Sequence, residues 1–205
     1  PERRGAHGYE PDVESDMRPY RPGDDFSYEN VARRYESMNA RLVRGHSPFW
    51  GETDIPRDRL QPFPVMDRGI RFLKEWARGD RSRPFFLTLS AAPPHFPHHL
   101  PHDYAQLAES LRESVALPAS LEDTFAGKPW FHAKPWWPCM DTSELDTEEW
   151  RTVIAYTFAH AAMVDEAIGR VLDTLDELGL AEKTCVVFTA DHGDMAGAHN
   201  RFDKG

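Results

Sequence analysis

Hydrophobic residues recur every three or four positions in two long segments of the chain, residues 64–78 and 147–178. This spacing places the apolar side chains on one face of an α-helix. A proline opens the first segment and a glycine follows each of them, as expected at helix ends. Asp146 and Glu149 have the spacing of a capping box before the second segment, with Thr147 as a competing cap. We therefore predict an amphipathic helix in each segment.

Each predicted helix is followed by a short uncharged run, residues 84–90 and residues 184–190. Both runs are rich in β-branched and aromatic side chains, which is typical of strands buried on both faces of a parallel sheet. Pro84 stands at the first position of its strand, where a proline is tolerated. Cys185 is expected to pack in the second strand as a small hydrophobe. Two helix–strand units in succession predict an α/β fold that forms part of a mostly parallel sheet flanked by helices.

The remaining chain has weaker periodicity and divides into three parts. Residues 1–63 are polar and rich in breakers, and they predict an irregular segment with one short helix at about 28–44. A further short helix is predicted at about 104–114. Residues 115–145 form a Pro/Trp-rich insertion. Its tryptophans suit a stacking platform for a sugar or aryl group, and they equally suit packing over the end of the sheet.

Composition narrows the range of partners. The formal net charge of -10 argues against nucleic acid, because a phosphate backbone requires a basic face. No apolar run is long enough to predict a membrane span, and the first residues do not read as a signal peptide. The chain does not begin with Met, so the compartment is left open. Two cysteines are too few for a disulfide framework, and both are expected to be free.

Candidate chemistry is concentrated after the second predicted strand. Asp191 and His192 place a carboxylate and an imidazole side by side at the carboxyl end of that strand, where open α/β sheets bind ligands. Lys204 adds a point positive charge suited to an anionic substrate. The plainer interpretation of an Asp-His pair here is a helix N-cap followed by a solvated histidine.

Four histidines are crowded into the loop that follows the first predicted strand: His95, His98, His99 and His102. A zinc site built from all four is conceivable, because imidazole is a common zinc ligand. The prolines of this loop exclude the regular helix that would align ligands one turn apart. We therefore expect His98, His99 and His102 to be solvated.

Three stretches together carry a resemblance to a known family. They are Thr189-Ala190-Asp191-His192-Gly193-Asp194-Met195, the closing Phe202-Asp203-Lys204-Gly205, and the first predicted strand with its Pro94-His95-Phe96-Pro97 continuation. They resemble the metal-binding and substrate-binding segments of the sulfatases, in the alkaline-phosphatase-like superfamily. The resemblance covers mainly residues 64–100 and 147–205, and it implies that residues 64–205 are the central part of a sulfatase-like catalytic domain.

The resemblance also implies roles for individual residues. Asp191 and His192 would bind a divalent metal, with Ca²⁺ the first expectation and Mn²⁺ or Mg²⁺ as alternatives. Lys204 would contact the sulfate group. His95 would bind the same group and would be a candidate proton donor to the leaving oxygen. Whether His199 or the Pro/Trp-rich insertion contacts substrate is left open.

One element of the family pattern does not occur in the chain. Sulfatases use a formylglycine matured from the Cys or Ser of a Cys/Ser-x-Pro-x-Arg motif, and neither Cys139 nor Cys185 begins such a motif. We therefore expect the nucleophile in an N-terminal part of a longer polypeptide, which would be the partner of this chain. The 205-residue chain alone is expected to be inactive.

The first expectation for the whole protein is a metal-dependent sulfuric ester hydrolase acting on an anionic sulfate ester. Two alternatives stay open. The first is a phosphonate monoester or phosphodiester hydrolase of the same superfamily, which would share the Asp-His and lysine elements. The second is a non-catalytic carbohydrate-binding protein that would use the Pro/Trp-rich insertion.

Overall fold

A computed structural model describes residues 42–44, 50–133, 142, 145–201 and 203–204. Its regular elements, in chain order, are strands β1 (Leu42–Arg44) and β2 (Trp50–Thr53), helix α1 (Phe63–Arg78), strand β3 (His98–Leu100), and helices α2 (His102–Leu111) and α3 (Thr147–Glu177). Short 3-10 turns lie between them, at Arg57–Arg59, Arg112–Ser114, Trp130–Ala133, Ala181–Lys183 and Ala198–Asn200.

Both long predicted helices are confirmed. The N-cap of α3 is Asp146, whose carboxylate accepts the backbone N–H groups of Glu148 and Glu149, both at 2.8 Å. The Glu149 carboxylate accepts the Asp146 N–H at 2.9 Å and completes the capping box. Thr147 is the first residue of the helix, so the competing cap is excluded. The predicted helix at about 104–114 is also present, as α2 and the 3-10 turn that extends it.

The core lies between α3 and the two shorter helices. Their facing sides contribute fully buried apolar residues, among them Phe63 and Leu73 of α1, Ala108 of α2, and Ala159 and Met163 of α3. Small side chains on α2 and α3 let the two helices approach closely, since a larger side chain would hold the backbones apart. Helix α3 is therefore the element against which the rest of the described chain packs.

The sheet in the described residues is small and mixed. Its strand order is β1-β2-β3, in which β1 and β2 are antiparallel and β2 and β3 are parallel. The predicted α/β character is thus present, whereas the mostly parallel sheet is represented only by the β2–β3 pair. Residues 42–44 form β1 and not the end of the helix predicted at about 28–44, and the rest of that helix lies outside the described residues.

The first predicted strand, residues 84–90, pairs with no other strand in the described part of the chain and is not buried on both faces there. Phe85, Leu87 and Leu89 pack against the core, while Phe86 is 86% exposed. The contact with α1 is close at Gly69, where an added Cβ would lie 2.5 Å from the Leu89 Cδ1. Helix α1 therefore covers one face of residues 84–90, and no described residue covers the other face.

The second predicted strand, residues 184–190, is also unpaired within the part of the chain that the structure describes. Val187 and Phe188 are 78% and 79% exposed, and Cys185 is exposed as a free thiol, so its predicted packing does not occur against the described chain. The apolar pattern indicates which residues need cover, but cover requires a neighbouring segment. No segment described here lies against this one.

Two further expectations concern the ends and the middle of the chain. The division at residue 63 stays a prediction, although β2, which precedes it, pairs with β3, which follows it. In the Pro/Trp-rich insertion, Trp130 is largely exposed at the start of a 3-10 turn, whereas residues 134–141 lie outside the described ranges.

Among the helices described, none has the length and apolarity needed to cross a membrane.

Candidate functional site

His95 lies in the loop between the extended segment 84–90 and β3. Its backbone N–H donates to the Ala92 carbonyl at 3.1 Å, and its ring stacks on that of the buried Phe96. The His95 Nδ1 lies 2.6 Å from the Phe96 carbonyl oxygen. A carbonyl can only accept a hydrogen bond, so Nδ1 carries the proton. In the neutral ring, Nε2 is then the atom with the free lone pair.

The Lys204 side chain contacts the His95 ring. Its Nζ lies 3.1 Å from the His95 Nε2, although the two residues are 109 positions apart. An ammonium group can only donate, so it donates to the lone pair that the Phe96 contact leaves on Nε2. The structure thus brings together the two residues that the resemblance separately assigns to the sulfate group.

Asp203 is a third member of this cluster that the sequence analysis missed. It is 3% exposed, and its carboxylate oxygens lie 2.9 and 3.2 Å from the Lys204 Nζ. One of them is 4.0 Å from the His95 Nε2. An aspartate beside a lysine in sequence reads as a solvated ion pair, and only the long-range return of the chain shows that this carboxylate is buried. It fixes Lys204 and faces His95.

A tight turn positions Asp203 and Lys204. The Met195 N–H donates to the Asp203 carbonyl at 2.8 Å, and the Asp203 N–H donates to the Asp194 carboxylate at 3.1 Å. Gly197 has a φ of 88°, and a Cβ there would lie 3.3 Å from side-chain atoms of Trp150 and Ile154 on α3. A glycine is therefore needed both for the backbone conformation and for the close approach to α3.

His199, within the same turn, faces the insertion. Its Nδ1 lies 2.6 Å from the Asp123 carboxylate, which also contacts the Lys128 ammonium. The Lys128 ammonium, the Phe125 backbone N–H and the His199 ring hold the pKa of the Asp123 carboxyl well below its usual range. This contact ties the turn to residues 120–128.

Asp191 and His192 lie at the end of the exposed segment 184–190. The His192 Nδ1 is 2.8 Å from the Gly193 carbonyl oxygen, so Nδ1 donates and Nε2 keeps a lone pair in the neutral ring. That Nε2 lies 3.4 Å from the Asp191 Oδ2. Both side chains are exposed, and a carboxylate with an imidazole is a donor pair that divalent metals use.

The pair is not a complete metal site by itself. Among the residues with described positions, no group of three or more His, Cys, Asp or Glu side chains could hold a metal ion. Asp191 and His192 could therefore supply two ligands to a divalent metal, and a metal bound there would need further ligands to complete its coordination shell.

The other histidines of the His95 loop correct an expectation. His98 is not solvated but 1% exposed, because alternation along β3 turns it and Leu100 inward. Its Nδ1 and Nε2 lie 3.1 Å from the His160 Nδ1 and 3.0 Å from the Thr157 Oγ1. His102 is exposed and contacts the Glu52 carboxylate at 3.0 Å. These contacts occupy both ring nitrogens of His98 and argue against the shared zinc site.

Comparisons with known proteins agree on one family. The model of the family described as Sulfatase matches residues 43–205. The chain is 32% identical over 153 residues to an ulvan-active sulfatase of Formosa agariphila, a match that covers 74% of this chain and 24% of that protein. It is 25% identical over 198 residues to the iduronate 2-sulfatase of Mus musculus, covering 91% and 35%. For an arylsulfatase of Clostridium perfringens the identity is 31% over 141 residues, covering 69% and 28%. The chain spans about a quarter to a third of the length of these relatives.

Proposed function

Because the chain belongs to the sulfatase family, we propose that it forms part of the catalytic domain of an enzyme that hydrolyses sulfate esters. The observation that carries this proposal is the 3.1 Å approach of the Lys204 Nζ to the His95 Nε2. A lysine and a histidine held together by a buried carboxylate form a site at which an oxyanion can be bound and a proton delivered.

In this proposal Lys204 binds a sulfate oxygen. Its ammonium is a point charge with three donors, of which the contacts with His95 and Asp203 use two. The buried Asp203 carboxylate restricts the ammonium to one position, so little reorganisation is needed when substrate binds.

His95 donates the proton to the leaving oxygen. In the neutral ring Nε2 is an acceptor, so donation from Nε2 requires the imidazolium form. The Asp203 carboxylate lies 4.0 Å from Nε2. A sulfate anion that binds Lys204 competes with His95 for the ammonium and frees Nε2 to face the ester oxygen.

Asp191 and His192 hold the divalent metal in the same proposal. Ca²⁺ is the first candidate because the carboxylate is a hard oxygen ligand, and the imidazole keeps Mn²⁺ open, with Mg²⁺ as a further alternative. When bound, the metal supplies a positive charge that screens the nucleophile and the sulfate oxygens. The remaining ligands and the formylglycine nucleophile are assigned to the part of the polypeptide outside this chain.

The same part of the polypeptide is proposed to cover the exposed face of segments 84–90 and 184–190. The support is the exposure of Phe86, Val187 and Phe188, three large apolar side chains on segments whose pattern predicts burial. Exposed apolar side chains of this size on an extended backbone favour pairing with a further strand.

The deciding experiment uses the protein with its complete catalytic domain. Rates on an aryl sulfate and on the matching aryl phosphonate monoester are compared, with and without a chelator. We expect faster cleavage of the sulfate, lost with the chelator, and loss of both metal and activity in Asp191→Ala but not in the control Asp173→Ala on the exposed face of α3.

Three other outcomes would contradict the proposal. Faster cleavage of the phosphonate would favour the phosphonate or phosphodiester hydrolase, and saccharide binding without turnover would favour the carbohydrate-binding protein. Full metal content and a normal rate in Asp191→Ala would remove the assigned metal site.

A further inference from the structure

A buried pair of histidines lies directly behind the loop that carries His95. His98 is the first residue of β3, and His160 lies on α3. They are 1% and 5% exposed, and their Nδ1 atoms are 3.1 Å apart. Neither residue belongs to the cluster of His95, Asp203 and Lys204.

The hydrogen atoms of this pair can be assigned from its partners. The Thr157 Oγ1 lies 2.9 Å from the Val153 carbonyl, which can only accept, so the single hydroxyl hydrogen is used there. The Thr157 Oγ1 must therefore accept from the His98 Nε2, at 3.0 Å. A neutral His98 with a proton on Nε2 has its lone pair on Nδ1. That lone pair accepts from the His160 Nδ1–H.

The hydrogen bonds consequently run in one direction, from His160 to His98 to Thr157 to Val153. Every member apart from His98 is on α3, and His98 is the point at which the chain of hydrogen bonds crosses to β3. Phe96 packs against Trp150 and Val153 of the same helix. The loop is thus attached to α3 on both sides of Pro97.

The surroundings of the pair favour its neutral form. Burial holds the pKa of His98 well below its usual value and lowers the pKa of His160 to about 3, and the neighbouring His99 and His95 act in the same direction.

We propose that His98 and His160 are positioning residues for His95. Their hydrogen bond, together with the packing of Phe96 on the same helix, fixes the loop that carries His95 on α3. This inference rests on the proposed role of His95 as proton donor.

The first test reads the proton positions directly and does not depend on activity. Histidine-selective ¹⁵N NMR at neutral pH should show His160 protonated on Nδ1 and His98 protonated on Nε2. Assignment of the opposite tautomer to either ring, or a positive charge on either, would overturn the proposal.

The second test uses two variants of His160 and two aryl sulfates with the complete catalytic domain. His160→Asn keeps an N–H donor near the position of Nδ1, whereas His160→Phe keeps a ring and loses the donor. We expect His160→Phe to lower kcat on phenyl sulfate about tenfold more than on 4-nitrophenyl sulfate, because a poor leaving group depends on the proton donor. KM should be little changed, and His160→Asn should follow the wild type.

Two reference variants interpret the result. His95→Ala should show the same dependence on the leaving group, and His102→Gln, a change at an exposed histidine of the same region, should show none. Equal loss on both substrates in His160→Phe would reduce the pair to a structural role and overturn the proposal. If His95→Ala itself showed no dependence on the leaving group, the role proposed for His95 would fail, and the NMR result would still report on the pair.

Discussion

The buried His98–His160 pair should make the stability of the chain depend on pH below neutrality. A histidine in the unfolded chain takes up a proton near pH 6.5. In the folded chain burial prevents this, and the pKa of His160 falls to about 3. The unfolded state then binds more protons, so the free energy of unfolding falls as the pH drops below 6.5 and continues to fall toward the folded-state pKa.

The loss of unfolding free energy on acidification follows from the difference between the unfolded-state and folded-state pKa values of His160. Each pH unit between the two pKa values costs about 1.4 kcal/mol for one histidine. From about pH 7 to about pH 4.5, His160 alone should account for about 2 to 3 kcal/mol, and His98 adds a loss in the same direction. This is a large part of the 5 to 15 kcal/mol or so that stabilises a typical domain.

The measurement is urea unfolding of the wild type and of His160→Asn at those two pH values. The asparagine keeps the donor to His98 and cannot be protonated. Titration of groups far from His160 affects both proteins alike and cancels in the difference between them. We expect the wild type to lose about 2 kcal/mol more than His160→Asn on acidification, whereas His102→Asn, at an exposed histidine, should behave as the wild type. Equal losses in wild type and His160→Asn would refute the reasoning.

Three further predictions concern the proposed site and the exposed segments. Asp203→Asn in the complete catalytic domain should lower kcat on aryl sulfates by about tenfold or more, because Lys204 loses the carboxylate that holds its ammonium in place; a rate within twofold or so of wild type would argue against this role. Lys204→Ala should raise the barrier by about 3 kcal/mol, roughly a hundredfold in kcat/KM, with metal content by elemental analysis unchanged. Phe86→Ser with Phe188→Ser should make the 205-residue chain less prone to associate in light scattering, with its helical circular dichroism retained; unchanged association would show that other surfaces drive it.

The helices could be predicted from the sequence because their signals are local. The N-cap at Asp146, the start of α1 at a proline and the ends of both helices at glycines each depend on residues within one turn. The periodic apolar positions also identify the buried face, since Leu73 and Met163 are both in the core.

The strands could not be predicted in the same way because burial of a strand depends on its neighbours. Residues 184–190 have the composition of a central strand, yet the described chain places nothing against Val187 and Phe188. Conversely, β3 has no such composition, and it forms because β2 lies beside it and α3 beneath it. The prediction that His98 is solvated was wrong for this reason.

The sequence yields candidate site residues one at a time, and it does not show which of them lie together. The resemblance identified His95 and Lys204 separately, and only the folded chain shows that their side chains touch. Asp203 carried no signal of its own, because a buried carboxylate and a solvated one look the same in sequence.

The burial of Asp203 changes the electrostatic argument drawn from the sequence. From the sequence, Lys204 is expected to add, together with the metal, the local positive charge that an anionic substrate needs in a chain of net charge -10. Its ammonium is instead paired with the Asp203 carboxylate at 2.9 Å, so the two together contribute no net charge. In the proposed function, attraction of a sulfate to this site therefore requires a further positive charge, which a cation held by Asp191 and His192 would supply. Lys204 would then orient the bound anion rather than attract it.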